Sequence, residues 1–174
     1  MLFRSIGIGS AHKDLGRIRA RRAGVAWPGS LLRGKGAASR DLVVATASFA
    51  RSRRAYAAAN QPKPEARAGI ESGLLRALEL GAPISEDSVR ALGSAIGDDP
   101  LSNAKLLLLH GMRELADRPH QAARQFRRAI DLAFEAHNSQ LEATAQAALA
   151  AAERSCGNRQ RAARAAARFV ELAE

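Results

Sequence analysis

One cysteine in 174 residues, Cys156, excludes an internal disulfide and any metal site built on several thiolates. Aromatic residues make up only 4% of the chain, and beyond Tyr56 only Phe126, Phe134 and Phe169 remain. A core so poor in rings must be assembled from Leu and Ala, which suits closely packed helices better than a β-sandwich. No run of 18 apolar residues occurs, so the sequence offers no membrane-spanning helix. The apolar stretch after Arg4 is broken by Gly, Ser and His, so it makes no secretory hydrophobic core, and a cytoplasmic location is the expectation. Acid is also missing from one region. Residues 1–56 carry twelve Lys or Arg and two Asp or Glu, whereas residues 57–174 carry fifteen of each. The net charge of +10 therefore belongs to the first third alone, and the portion with the clearer folding pattern is neutral. Charge by itself is thus a weak argument for nucleic-acid binding. Hydrophobic residues at 47% exclude global disorder.

Residues 1–40 lack both the 3.6 and the 2.0 periodicity and are rich in Gly, Ser and Arg. Four readings compete. A disordered basic tail would touch phosphate backbones through Arg17, Arg19, Arg21 and Arg22, with only Trp27 nearby to stack on a base. A transit peptide shares the Arg-rich, acid-poor composition but needs more amphipathicity. Gly29 to Gly36 nearly fits the phosphate-loop pattern, yet Gly36 stands where a Mg²⁺-binding hydroxyl is required, and we treat the match as chance. Finally, Met1-Leu2-Phe3-Arg4-Ser5 is what the end of a common sequencing adapter would encode, so the segment can also be non-native and the chain a fragment. The tail and the non-native stretch carry similar weight, and the other two carry less.

From Asp41 onward the spacing of apolar residues turns helical. Asp41 fits an N-cap, Leu42, Val43, Ala45, Phe49 and Tyr56 form a stripe, and Gln61-Pro62-Lys63-Pro64 ends the first helix. A second is predicted from Pro64 to Leu80, with Ile70, Leu74, Leu75 and Leu78 inward. A short third opens at Ser85 and stops at Gly97. Asp99-Pro100 caps a fourth over 100–117, whose Leu106–Leu109 run predicts burial on more than one side. The fifth, 119–136, sets Ala122, Phe126, Ala129, Ile130 and Ala133 against Arg124, Arg127, Arg128, Asp131 and Glu135, with Arg127 and Asp131 one turn apart for pairing. The sixth, 139–155, is mostly Ala with Leu141 and Leu149. The seventh, 159–173, is expected to bury Ala162, Ala163, Ala166, Phe169 and Val170. Short turns between such helices predict antiparallel hairpins. The expected organisation is an irregular basic segment, 1–40, followed by one α-helical repeat domain, 41–174.

Ala122, Phe126 and Ala129 keep the A-x-x-x-F-x-x-A spacing of a second repeat helix, and Leu109 stands at the matching first-helix position. In this the chain resembles the tetratricopeptide repeat family. The family's glycine is His110 here, with Gly111 following, and its first-helix aromatic is replaced by Arg113. A second copy begins near Ser139. Gly157-Asn158 resembles the family's turn, Ala162 takes the close-packing position, and Ala166 and Phe169 exchange the expected sizes. Ala122 and Ala162 are 40 residues apart, against the usual 34, which is similar to the longer-period arrays of bacterial regulators. The resemblance implies an all-α, right-handed superhelix of stacked hairpins and a non-catalytic protein–protein interaction module. It implies repeat packing by Leu109, Ala122, Phe126, Ala129, Gly157, Ala162 and Phe169. It also implies a partner-binding concave face along Ala104, Leu107, Leu108, Gly111, Thr144, Ala147, Ala148 and Ala151. These inward positions hold no Lys or Asn, so a clamp for a terminal carboxylate is not expected.

The residues suggest no enzyme, cofactor or metal. His12, His110, His120 and His137 form no i, i+4 pair, Cys156 has no nearby His, and Asp98-Asp99 reads as a cap. The two arginine clusters, Arg124, Arg127, Arg128 and Arg161, Arg164, Arg168, read as solvated faces, with a phosphate-binding surface the sharper alternative. The competing function is a nucleic-acid-associated regulator that uses the basic segment 13–54. Self-association through exposed repeat ends is a further expectation.

Overall fold

The computed structural model describes residues 40–79 and 84–173, and all regular structure among them is helical. The helices are α1 (Arg40–Ala58), α2 (Pro62–Glu79), α3 (Glu86–Ile96), α4 (Pro100–Glu114), α5 (Pro119–Glu135), α6 (Ser139–Ser155) and α7 (Arg159–Ala173). Three starts are fixed by side chains that accept an otherwise orphaned N–H. The Asp99 carboxylate accepts from the Ser102 N–H at 3.0 Å and also from the Ser102 hydroxyl, and Pro100 follows it. Ser85 accepts from Ser88 N–H at 3.3 Å, and Asn138 Oδ1 from Leu141 N–H at 2.9 Å. The second helix begins at Pro62 rather than Pro64, because the chain has already turned at Asn60.

Three ends close in the same way. After α1, α5 and α6 the chain passes through a left-handed residue, Asn60 (φ 51°), His137 (φ 50°) and Gly157 (φ 78°). Each time the next residue's N–H reaches back five positions: Gln61 to Tyr56, Asn138 to Ala133 and Asn158 to Glu153, all at 2.9 Å. This double closure satisfies the last carbonyls and reverses the chain in few residues.

Contacts group the helices into two compact units that divide between Gly97 and Asp98. In the first, α1 packs on α2 and α2 on α3. Its core is Phe49, Tyr56, Ile70, Leu74, Leu75, Val89 and Ile96. A Cβ on Gly69 would lie 2.6 Å from Leu92 Cδ2, so a larger residue there would oblige the half-buried Leu92 side chain to shift.

In the second unit α4, α5, α6 and α7 pack in succession, and α4 also touches α6. The most enclosed helix is α6, not the leucine-rich α4. Ten α6 residues are buried, and Leu141–Ala145 covers more than a full turn. On α4, Leu108 and Leu109 are buried while Leu106 and Leu107 are half-exposed. Small side chains let neighbouring helices approach α6 from several directions, a role that a run of four leucines is too bulky to fill. The expected burial on α7 also needs correction. Ala165 is buried and Ala162, Phe169 and Leu172 are half-buried, whereas Ala163, Ala166 and Val170 are exposed. With its neighbour on one side only, α7 turns a single 162/165/169/172 stripe toward α6.

Candidate functional site

The residues that carry the repeat resemblance divide by depth. Leu109, Ala122, Phe126 and Ala129 are buried. The Phe126 ring lies on Gly111, where a Cβ would sit 2.7 Å from both Cδ1 and Cζ of the ring. Gly157 is an exposed turn residue, and Ala162 and Phe169 are half-buried.

The eight residues expected to line a concave face do not form an open surface. Ala104, Leu108, Gly111, Thr144, Ala147 and Ala148 are buried, and only Leu107 and Ala151 keep partial exposure. Gly111 is covered by Phe126 and serves helix packing. Thr144 turns its hydroxyl to the Gln140 carbonyl at 2.8 Å. Six of these positions therefore belong to the core, because α6 is enclosed and α4 packs on both α5 and α6.

What is accessible is an open groove of about 580 Å³ over α6, walled by α5 and α7. Arg127 stands on the α5 wall, and Arg161, Arg164 and Arg168 stand on the α7 wall. Gln146, Leu149, Glu153 and Ala165 complete the lining. The carboxylates of α6 hold both walls. Glu153, buried, accepts from Arg127 on α5, and its second oxygen accepts from Asn158 Nδ2 at 2.8 Å. Glu142, also buried, accepts from Arg168 Nε and Nη2 at 3.3 Å. Arg127 thus pairs with Glu153 on the next helix and not with Asp131 on its own. Hydrogen bonding to Glu171, and then to Glu142, raises the Arg168 pKa above its ordinary value. Arg161 and Arg164 are exposed and pair with no carboxylate among the described residues.

The sequence names these arginines but assigns them to two separate solvated faces. Their common groove depends on α5 and α7 flanking α6, a relation no local pattern encodes. A second groove, about 450 Å³, lies in the first unit, with Arg53, Glu65, Arg76, Ser85 and Ser88 in its lining and Gly69 and Gly73 beside them. It mixes both charge signs, and Arg53 comes within 3.9 Å of Glu65.

Among the described residues no three His, Cys, Asp or Glu are grouped to hold a metal ion. Cys156 is free and half-buried at the end of α6. The near-phosphate loop at Gly29–Gly36, and residues 13–39 of the basic segment, lie outside the described residues. Residues 40–54 of that segment fall in α1, with Arg51, Arg53 and Arg54 exposed. No helix among the described residues is long and apolar enough to cross a membrane. Searched against protein-family models, curated proteins and solved structures, the chain matches none.

Proposed function

We propose that the chain is a cytoplasmic, tetratricopeptide-like scaffold that binds another protein and performs no catalysis of its own. The observation that carries this reading is the contact of α4 with α6 as well as with α5. In a stack of hairpins the first helix of one hairpin meets the first helix of the next, and a right-handed superhelix grows from that relation. One detail supports it. Gly111 beneath Phe126 supplies the close approach between helices of one hairpin, one position after the family's glycine. Repeat arrays act through surface, and here the surface is the groove over α6 rather than the first-helix face.

Affinity purification of the tagged full-length chain from extracts of its producing organism, with and without nuclease, tests the reading. A protein that stays bound through nuclease treatment and a high-salt wash is the expected result. Partners that leave with the nucleic acid would instead favour a nucleic-acid-associated regulator. That second reading rests on the basic excess of residues 1–56 and on the exposed Arg51, Arg53 and Arg54 of α1.

A further inference from the structure

We infer that the groove over α6 captures a short acidic segment of the partner protein, a run of Asp or Glu in extended conformation. The inference rests on the scaffold reading and names the chemistry of its partner. Four arginines and a single carboxylate, Glu153, line the groove, and both oxygens of Glu153 are already engaged by Arg127 and Asn158. Arg168 is held in place by Glu142 and Glu171. Arg161 and Arg164, beside it on the same wall, pair with no carboxylate among the described residues.

The position of these two is a second observation. They occupy the first two turns of α7, and no acid stands in its first turn. A helix N-terminus carries partial positive charge that falls off within the first turn, so a basic side chain there, as at Arg161, is disfavoured by roughly 0.3–1 kcal/mol, and an incoming carboxylate offsets that cost.

Geometry selects an extended acidic run. Arg161 and Arg168 are seven residues apart on α7, about 10 Å at 1.5 Å per residue. Carboxylates two residues apart in an extended chain share one side and lie about 7 Å apart, within that span. Successive side chains of an extended segment point to opposite sides, so adjacent carboxylates reach the α5 wall and the α7 wall in turn. Arginine forks match carboxylates in bidentate fashion. A nucleic acid fits less well. Residues 98–174 hold eleven basic and ten acidic side chains, so no broad positive field surrounds the groove, and no aromatic residue lines it.

The test uses the full chain and fluorescein-labelled hexaglutamate, with hexaglutamine and oligothymidylate for comparison, read by fluorescence anisotropy. Saturable hexaglutamate binding is expected. Arg161→Gln with Arg164→Gln should weaken it by at least about ten-fold, the loss of two charge-assisted contacts. Arg124→Gln with Arg128→Gln removes equal charge from the exposed face of α5 outside the groove and should leave affinity within about two-fold. Helical circular dichroism confirms that both variants fold. Equal loss in the two double variants would show bulk attraction and overturn the inference. So would absence of saturable binding at low salt, or oligothymidylate binding more tightly with the same arginine dependence. A protein partner retained equally by both double variants sinks the groove and leaves the scaffold reading standing, whereas recovery of no protein at all fails the scaffold reading.

Discussion

Helices α6 and α7 are close in composition and opposite in environment. Seven of seventeen α6 residues and six of fifteen α7 residues are alanine. Yet ten α6 residues are buried and one α7 residue is. Alanine is tolerated in both places, but for different reasons. On α6 it is the small side chain that lets α5, α7 and α4 all approach. On α7 it is a good helix former on a surface that packing does not constrain. Charge marks the difference better than hydrophobicity does. Arginine appears once on α6 and four times on α7, and the acids of α6 are drawn inward to pair with arginines of its neighbours. A helix that keeps two buried carboxylates has committed neighbours on both sides, because an unpaired buried charge is prohibitive.

This contrast can be broken most severely at the two phenylalanines assigned to repeat packing. Phe126→Ala should cost about 3–5 kcal/mol, the range for a fully buried ring. Phe169→Ala, on half-buried α7, should cost only about 1–2 kcal/mol. Urea unfolding followed by helical circular dichroism measures both, and equal losses would remove the distinction. The next effect uses one substitution at two alanines. Ala148→Leu must force extra volume into the closed surroundings of α6 and should lose about 1–3 kcal/mol. Ala166→Leu, exposed on α7, should stay within about 0.5 kcal/mol of the parent. The smallest effect compares the two helix closures. His137 occupies the left-handed conformation that Gly157 adopts at the end of α6. His137→Gly should therefore raise the unfolding midpoint slightly, by up to about 1 kcal/mol in stability, whereas Gly157→Ala should lower it.

The helix series was readable along the chain because its punctuation is chemical. Asp99-Pro100, Ser85, and the turns at Asn138 and Gly157 each solve a local hydrogen-bonding problem with a residue type that sequence displays. Burial was readable where large side chains mark it, as at Phe126, Ile70 and Leu74. It failed on the alanine helices. Alanine carries so little hydrophobic contrast that α7 could be rotated by a third of a turn without disturbing its apparent stripe, and the enclosure of α6 left no trace at all. On α4 the burial on more than one side that the leucine run predicts is present, with Ser102, Ala104, Leu108, Leu109, Gly111 and Glu114 buried around the helix, although Leu106 and Leu107 stay half-exposed. The expected concave face is closed for that reason, because six of its eight positions sit on the buried sides of α4 and α6.

By itself, then, the sequence determined that the chain beyond residue 40 is a succession of short-linked helices, where they start and stop to within about three residues, and that the positive charge excess lies ahead of most of them. These are local properties, set by caps, prolines, left-handed turn residues and counting. Tertiary structure alone decided that α6 is the central helix of its unit, that Glu153 rather than Asp131 holds Arg127, and that Arg127 and the arginines of α7 border one groove. Those facts depend on which helices become neighbours across some 26 to 40 residues of chain, and small, uniform alanine surfaces encode that choice only in the packing they permit.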